Sequence, residues 1–194
     1  MNNENKVSVI MGVYNCEETL SESIDSIIEQ TYTNWELIMC DDASTDKSLQ
    51  IMKEYEEKYS NIHVLTNEKN MGLNYTLNKC LEIVNGQFIA RMDGDDISLK
   101  NRFEEEVKVL LENPNISIVS CPMIYFDSKG EWGRGTMIEY PQKEDFVKGT
   151  PFCHAPCMVR REAYIAVKGY SVEKKLLRVE DYHLWMKMYV EGYK

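Results

Sequence analysis

Apolar residues recur along this chain with two periods in alternation, and the alternation predicts strands separated by helices. The apolar run VSVIMGV over 7–13 predicts a strand that is buried on both faces. In the stretch that follows, Leu20, Ile24, Ile27 and Ile28 fall on one face of a helix. We therefore expect the chain to begin with a strand–helix unit.

The same unit is repeated through the first half of the chain. Further strands are predicted over 35–40, 62–66 and 87–92. A helical pattern follows the first of these, and its N-cap candidates are Ser44, Thr45 and Asp46. Another helical pattern follows Gly72, with an apolar stripe that ends near Asn85.

The pattern changes after residue 98, and we expect the sheet to become mixed there. A helix is predicted over 103–111 and a strand over 116–121. A strand with a turn follows within 123–135, and a strand with a short helix within 155–170. A mobile basic stretch at 174–178 precedes the last predicted helix. That helix starts near Glu180, and its inward residues are Leu184, Trp185 and Met188.

Strands that alternate with helices through short loops are typical of an α/β fold, a mostly parallel sheet with helices on both faces. Ligands of such sheets bind outside the carboxyl ends of the strands. Polar residues stand directly after predicted strands at Asn15, at Asp41 and Asp42, and in the acidic run 93–96. The chain has 194 residues, of which 43% are apolar, so it can form one domain with its own core.

Charge and hydropathy exclude two classes of protein. With 32 acidic and 22 basic residues the net charge is −10, and such a surface repels the phosphate backbone of a nucleic acid. No stretch reaches the roughly 18 consecutive apolar residues of a membrane span, and the first residues do not resemble a signal peptide. The six cysteines, mostly within apolar runs, are expected to be reduced and buried. We therefore expect a cytosolic protein.

The sequence ARMDGDDIS at 90–98 places Asp93, Asp95 and Asp96 directly after an apolar strand. An EF-hand loop is excluded because Ile97 and Ser98 stand where an oxygen ligand and a glycine are required. A carboxylate pair for glycoside hydrolysis is disfavoured because neighbours on one turn cannot flank a substrate from opposite sides. Two interpretations remain: a solvated turn, or a site where one or two carboxylates hold Mg²⁺ or Mn²⁺ against a nucleotide diphosphate.

Five motifs follow one another along the chain: VSVIMGVYN, ELIMCDDASTD, NEKNMGLNYTLNKCLE, GQFIARMDGDDIS and RVEDYHLWMKM. In this order the chain resembles the family 2 glycosyltransferases of the GT-A fold, and it is particularly similar to their bacterial, spore-coat-type single-domain members. The resemblance covers nearly the whole chain. It implies a Rossmann-like, mostly parallel sheet within one domain over 1–194. Residues 1–98 would form the nucleotide-binding half and residues 99–194 the acceptor-side half.

The resemblance also implies an activity. Such enzymes transfer a sugar with inversion from a nucleoside diphosphate donor, usually UDP-linked, to a hydroxyl of a saccharide or lipid-linked acceptor, with Mg²⁺ or Mn²⁺ as cofactor. It points to cell-surface polysaccharide biosynthesis by a cytoplasmic enzyme, either free or bound peripherally at the inner face of the membrane. Two alternatives stay open: a non-catalytic UDP-binding or scaffold module, and a sugar-1-phosphate nucleotidylyltransferase.

Matched by position, the family assigns five residues to the nucleotide. Tyr14 would lie against the base with Asn15 beside it, and Asp42 would accept a hydrogen bond from the uracil ring nitrogen. Asn70 and Gly72 match the motif that lines the nucleotide pocket. Structural interpretations exist beside these roles, since Asp42 could stabilise a helix start, and Asn70 and Gly72 could form only a turn and a cap.

The resemblance assigns the remaining site residues to the metal and the acceptor. Asp93 would approach the ribose and the metal, and Asp95 would bind the metal directly, where the ion neutralises the charge of the leaving diphosphate. Asp181 would be the base that removes the proton of the acceptor hydroxyl. Glu180 would face the acceptor, and His154 would stand near the diphosphate.

The chain departs from the usual family pattern at four positions. Gly12 and Lys100 each replace a common proline, Ala43 replaces a common glycine, and Leu77 replaces a common arginine. These changes concern loop stiffness and sugar selection more than the metal or the base. The chain also ends at EGYK, where relatives continue into a further strand, and we therefore expect a C-terminally truncated enzyme.

Overall fold

The computed structural model of the protein describes residues 4–173, 176 and 179–194. The strands of this part of the chain are β1 (Val7–Val13), β2 (Trp35–Asp41), β3 (Ile62–Thr66), β4 (Phe88–Arg91), β5 (Ile118–Val119), β6 (Ile124–Asp127), β7 (Gly130–Arg134) and β8 (Met158–Arg160). Its α-helices are α1 (Leu20–Ile28), α2 (Ser48–Lys58), α3 (Leu73–Leu81), α4 (Arg102–Glu112), α5 (Lys143–Phe146), α6 (Arg161–Ala166) and α7 (Glu180–Val190). The basic stretch at 174–178 lies outside the described residues except for Leu176.

Six of these strands form one sheet in the order β3-β2-β1-β4-β8-β5. β1 pairs in parallel with β2 and with β4, and β2 pairs in parallel with β3. β8 runs antiparallel to both β4 and β5, so the sheet is mixed toward the C-terminal half, as predicted. β6 and β7 form a separate antiparallel hairpin.

Helices cover both faces of the sheet, which is why its central strands are mostly apolar runs without regular alternation with polar residues. On one face, Met11 of β1 packs with apolar residues of α1, α2 and α4. On the other face, Ile10 packs with apolar residues of α3, α6 and α7. This second cluster includes Leu184, Trp185 and Met188, so the predicted inward side of the last helix is confirmed.

The strand order reverses at β1, and this reversal indicates where a ligand would bind. From β1 the sheet extends on one side to β2 and β3 and on the other side to β4. In open α/β sheets such a reversal opens a crevice at the carboxyl ends of the strands, where ligands bind. The loops after β1, β2 and β4 therefore meet at one edge, and they carry Asn15, Asp42 and the acidic run 93–96.

The second half of the chain follows the predicted pattern less closely. The strand expected over 116–121 is reduced to β5, and the backbone N–H of Ile118 donates to the carbonyl of Lys194 at 3.0 Å. The strand and turn expected within 123–135 form the β6–β7 hairpin outside the main sheet. Trp132 on this hairpin is 67% exposed. Tyr125 and Phe126 are exposed as well, so the hairpin does not share the buried environment of the central strands.

The start of α2 also differs from the prediction. The helix begins at Ser48, later than the N-cap candidates Ser44, Thr45 and Asp46, and its cap position is Lys47. Asp46 nevertheless accepts a hydrogen bond from the Ser48 N–H at 2.9 Å. It therefore satisfies one of the free N–H groups at the helix start from just outside the helix.

Predictions drawn from composition can be compared with the structure as well. All six cysteines are free, as predicted, and Cys40, Cys80 and Cys157 are fully buried. Cys16, Cys121 and Cys153 are only partly buried. Within the described part of the chain, no helix has the length and apolar character that crossing a membrane requires.

At the amino ends of the strands, a buried carboxylate joins three segments of the chain. Glu36 of β2 is 1% exposed and accepts hydrogen bonds from Lys6 Nζ at 2.6 Å, Ser8 Oγ at 2.5 Å and Asn85 Nδ2 at 2.9 Å. Burial raises the pKa of Glu36, but these three partners outweigh burial and hold the pKa below its ordinary value. This carboxylate is therefore ionised and fully partnered.

Candidate active site

Hydrogen bonds join the loop after β1 to the loop after β2. Asn15 has a φ of +53°, a left-handed conformation that asparagine tolerates better than most residues. Its Oδ1 accepts a hydrogen bond from the Thr45 N–H at 2.8 Å, and its own N–H donates to Ser44 Oγ at 3.0 Å. Tyr14 beside it is 48% exposed at the edge where the strands end.

Asp42, which follows β2, is buried and already holds the loop before α3. Its Oδ1 accepts hydrogen bonds from Asn67 Nδ2 at 2.7 Å and from the Met71 N–H at 2.8 Å, and its Oδ2 accepts one from the Gly72 N–H at 2.8 Å. A carboxylate has about four acceptor directions, so these three hydrogen bonds leave one direction on Oδ2 unused. Asp42 and Gly72 are thus in direct contact, while the contact of Asp42 with a base stays a prediction.

The loop before α3 takes its shape from these bonds. Gly72 has a φ of +87°, which glycine adopts without the strain that a Cβ would cause, and it is the cap residue of α3. Asn70 is exposed on the outside of the loop. Sequence reasoning missed Asn67, which bonds both Asp42 and Thr76 Oγ1. Its position directly after β3 could have indicated it, because every other polar site residue of this half also follows a strand.

The three aspartates of the acidic turn have different surroundings. Asp93 Oδ1 forms an ion pair with Arg91 Nη2 at 2.7 Å, and the arginine side chain is buried. Asp95 is exposed and forms no hydrogen bond or ion pair with the described residues. Asp96 is half-buried. Arg91 was also missed from the sequence, although a charged residue inside an apolar strand is a signal that could have found it.

The three aspartates of this turn carry more negative charge than the single positive charge of Arg91 can compensate. Burial raises the pKa of Asp96 to about 6, and the charges of Asp93 and Asp95 contribute to the rise. Burial also raises the pKa of Asp93, although Arg91 opposes the rise while Asp95 adds to it. The turn would therefore gain from a nearby cation.

By donor chemistry the acidic turn suits a hard divalent cation. Among the described residues, no three His, Cys, Asp or Glu side chains are arranged to enclose an ion. Mg²⁺, however, is commonly held by only one or two carboxylates, with water and phosphate oxygens completing its shell. The turn itself is anchored to α1, since Thr19 Oγ1 donates to the Gly94 carbonyl at 2.8 Å and Ser23 Oγ to the Asp96 carbonyl at 2.7 Å. Asp95, with Asp93 beside it, fits such an ion.

His154 lies between aromatic rings near the acidic turn. Its ring centroid is 5.3 Å from that of Trp185 and 5.9 Å from that of Tyr170. Both ring nitrogens are buried without a partner among the described residues, and so is Trp185 Nε1. Burial, and then the charge of Arg91, lower the pKa of His154 well below its ordinary value, so the ring is neutral.

Glu180 and Asp181 form the first turn of α7. Asp181 Oδ1 accepts a hydrogen bond from the Tyr182 N–H at 2.7 Å, and the described residues leave its Oδ2 without a partner. Glu180 Oε2 is buried and also lacks a partner among them. No hydrogen bond or ion pair within the described residues links this turn to Asp93 or Asp95, so the two carboxylate sets are separate groups on separate elements.

Comparison with known proteins identifies the family of this chain. The sequence profile described as glycosyl transferase family 2 matches residues 8–167. The chain belongs to glycosyl transferase family 2. Its relatives in this comparison include "Putative glycosyltransferase EpsE" of Bacillus subtilis, 46% identical over 100% of this chain and 70% of the relative. Another is "UDP-Glc:alpha-D-GlcNAc-diphosphoundecaprenol beta-1,3-glucosyltransferase WfgD" of Escherichia coli, 34% identical over 93% of this chain and 68% of the relative.

Solved structures match the fold. S. aureus TarS 1-349 in complex with UDP gives a TM-score of 0.76 at 25% identity, over 95% of this chain and 55% of that chain. Mannosyltransferase PcManGT from Pyrobaculum calidifontis was solved with GDP-Man and Mn2+. Its TM-score is 0.76 at 21% identity, over 98% of this chain and 54% of that chain. The predicted GT-A fold is therefore confirmed. The chain spans little more than half the length of these two solved chains.

Two of the positions at which this chain departs from the usual family 2 pattern, Gly12 and Leu77, are in contact, and a third, Ala43, has an unusual backbone conformation. A Cβ on Gly12 would lie 2.8 Å from Leu73 Cδ1 and 3.8 Å from Leu77 Cδ2, so a proline at position 12 would require Leu73 to move. Ala43, which stands where glycine is common, has a φ of +60°. This left-handed conformation favours glycine, so the loop after β2 is strained in this chain.

Proposed function

We propose that this protein is an inverting glycosyltransferase. It transfers a sugar from a UDP-sugar to a hydroxyl of a saccharide or lipid-linked acceptor, with Mg²⁺ or Mn²⁺ as cofactor, in cell-surface polysaccharide biosynthesis. The observation that carries the proposal is the acidic turn at the reversal of the sheet. There Asp93 is anchored by Arg91, while the Asp95 carboxylate is exposed and without a partner.

The loops after β1, β2 and β3 form the nucleotide side of the proposed site. Tyr14 offers an exposed ring to the base, and Asp42 keeps one acceptor direction for a ring N–H. Uracil has such a ring N–H next to a carbonyl, and so does guanine, whereas adenine and cytosine lack it, so this acceptor is compatible with a UDP-linked donor and disfavours adenine and cytosine nucleotides. Support comes from the related fold of TarS 1-349, which was solved with UDP.

Asp95 and Asp93 hold the divalent cation in this proposal. Once bound, the ion would neutralise the charge that develops on the leaving diphosphate. The neutral ring of His154, with two unpartnered nitrogens, can donate a hydrogen bond to a diphosphate oxygen without adding a full charge.

Asp181 takes the proton of the acceptor in this proposal. Its free Oδ2 accepts the hydroxyl proton while the acceptor oxygen forms a bond to the anomeric carbon and the bond to the diphosphate oxygen breaks. Because attack and departure take place on opposite faces, the anomeric configuration inverts. Glu180, whose Oε2 has no partner among the described residues, orients the acceptor in this proposal. The name of WfgD includes a diphosphoundecaprenol acceptor, which supports a lipid-linked acceptor and action at the inner face of the membrane.

Calorimetry and a turnover assay on two variants test these roles separately. Asp95→Ala should weaken UDP binding in the presence of Mn²⁺ by about 10-fold or more, because the ion loses its free carboxylate. Asp181→Asn should bind UDP as the wild type does and lose turnover by about 100-fold or more, because no base is left for the acceptor. Glu112→Ala, which removes an exposed carboxylate at the end of α4, is the matched control and should change neither quantity.

The alternatives give different outcomes in the same assays. Wild-type protein that binds UDP with Mn²⁺ but releases no UDP from any UDP-sugar would indicate a binding or scaffold module. Formation of a UDP-sugar and pyrophosphate from UTP and a sugar 1-phosphate would indicate a nucleotidylyltransferase. Unchanged UDP affinity in Asp95→Ala would refute the metal site.

A further inference from the structure

Arg91 is a buried charge inside the sheet. It is the last residue of β4, is 4% exposed, and stands two positions after Ile89, so its side chain points to the face covered by α3, α6 and α7. One guanidinium nitrogen, Nη2, meets Asp93 Oδ1 at 2.7 Å, while Nε is buried without a partner among the described residues.

The backbone at Arg91 is fixed from three directions. Its N–H donates to the Cys157 carbonyl at 2.9 Å, and its carbonyl accepts a hydrogen bond from Arg102 Nη2 at 3.0 Å. Met92 N–H donates to the Ile10 carbonyl at 3.2 Å. Arg102 is in turn held by Glu106, with Nε to Oε2 at 3.2 Å. The Cα atom from which the Arg91 side chain extends is therefore held in place.

Stability does not explain this arrangement. Taking an arginine out of water is costly, and apolar residues of similar volume at such positions are often as stable as the ion pair or more so. Neighbouring β4 positions are filled by Ile89 and Ala90, and the surrounding cluster is apolar. A charge retained here, with one ion pair at the acidic turn, points to a role in that turn.

We propose that Arg91 is a positioning residue for the acidic turn. It holds the Asp93 carboxylate through Oδ1, so that Asp93 keeps one orientation beside Asp95 and both carboxylates can contact the ion. The proposal rests on the proposed function and adds a residue to the machinery of the same site. Without Arg91, the Asp93 carboxylate is free to turn, and it no longer keeps one orientation in which it can contact the ion together with Asp95.

A double-mutant cycle between Arg91 and Asp93 tests the role. UDP affinity in the presence of Mn²⁺ is measured by calorimetry for Arg91→Met, Asp93→Asn and the double variant, and thermal unfolding without ligand establishes that each is folded. Each single change should weaken the affinity about 10-fold or more, and the double variant should be about as weak as the weaker single variant. Arg91→Lys should recover part of the affinity because it keeps the positive charge.

Arg160→Met is the matched control. Arg160 also lies in the sheet, donates to backbone carbonyls at Ile116 and Leu110, and pairs with Phe88 at the other end of β4. Its loss should leave the affinity for UDP with Mn²⁺ unchanged. Multiplicative effects of the two single changes, no recovery in Arg91→Lys, or an Arg91→Met affinity like that of Arg160→Met would overturn the role of Arg91. Wild-type protein with no Mn²⁺-dependent UDP binding would overturn the proposed function itself.

Discussion

The two ends of the sheet use carboxylates in opposite ways. At the amino ends of the strands, Glu36 is buried and every hydrogen bond it needs is supplied by Lys6, Ser8 and Asn85. At the carboxyl ends, Asp95 is exposed, has no partner among the described residues, and lies beside Asp96, whose pKa is raised to about 6 by burial, Asp93 and Asp95. One end is built to be stable without a ligand, whereas the other keeps charge that a ligand would compensate.

The backbone differs less between the two ends than the carboxylates do. At the amino end, a Cβ on Gly86 would lie 2.6 Å from the Lys6 carbonyl oxygen, so the segments are packed as closely as glycine permits. At the carboxyl end, Ala43 and Asn15 have φ values of +60° and +53°, which cost energy in the folded chain. At the amino end, Asn5 just before β1 also has a φ of +59°. Left-handed residues therefore occur at both ends, and the unpaired charge is what distinguishes the carboxyl end.

The largest effect on stability is expected at the partnered end. Glu36→Ala should lower the free energy of unfolding by about 3 kcal/mol, because it leaves the partly buried Lys6 ammonium without its counter-charge and the buried Ser8 hydroxyl without its acceptor. Denaturant unfolding measures the loss, and Glu57→Ala on the exposed side of α2 is the matched control, for which little change is expected. UDP affinity should be the same in both variants as in the wild type.

The dependence of this effect on pH has a definite sign. Because the pKa of Glu36 is lower in the folded protein than in the unfolded chain, its contribution is complete above the unfolded pKa of about 4.3 and is lost as the pH falls through the folded pKa. The difference between wild type and Glu36→Ala should be constant near neutral pH and shrink in acid. A difference that grows in acid would contradict the ionised, partnered state of Glu36.

The first half of the fold was predictable because its signals are local. The predicted strand over 7–13 agrees with β1 to the residue, and the one over 62–66 agrees with β3. Both are short apolar runs that a clear helical pattern follows, and parallel strands covered by helices produce such runs. The position of the polar residues after these strands was predictable for the same reason.

What sequence reasoning missed depends on side-chain contacts that the pattern of apolar and polar positions does not specify. The pairing of Arg91 with Asp93 requires that the strand end place both side chains on one face of the turn. Asn67 reaches Asp42 across 25 positions. The β6–β7 hairpin has strand-like residues, yet which sheet a strand joins is decided by the packing of the whole chain and not by its own pattern.

A smaller effect of opposite sign is expected from relieving strain at the carboxyl end. Ala43→Gly should raise the free energy of unfolding by about 1 kcal/mol at most, because glycine adopts a φ of +60° without the penalty of a Cβ but loses more chain entropy on folding. Ala163→Gly within α6 is the opposite control, and it should lose about 1 kcal/mol or more. A loss of stability in Ala43→Gly would mean that the loop is not strained.

The smallest effect on stability is expected at the unpartnered carboxylate itself. Asp95→Ala should leave the free energy of unfolding within about 0.5 kcal/mol of the wild type, because the exposed carboxylate makes no hydrogen bond to lose and its removal reduces repulsion with Asp93 and Asp96. Asp46→Ala is the matched comparison at the same end of the sheet. Asp46 accepts hydrogen bonds from the N–H groups of Ser48 and Glu17, so its removal should cost about 1 kcal/mol. If Asp95→Ala were as destabilising as Asp46→Ala, Asp95 would have a structural role, and the contrast between the two ends of the sheet would not hold.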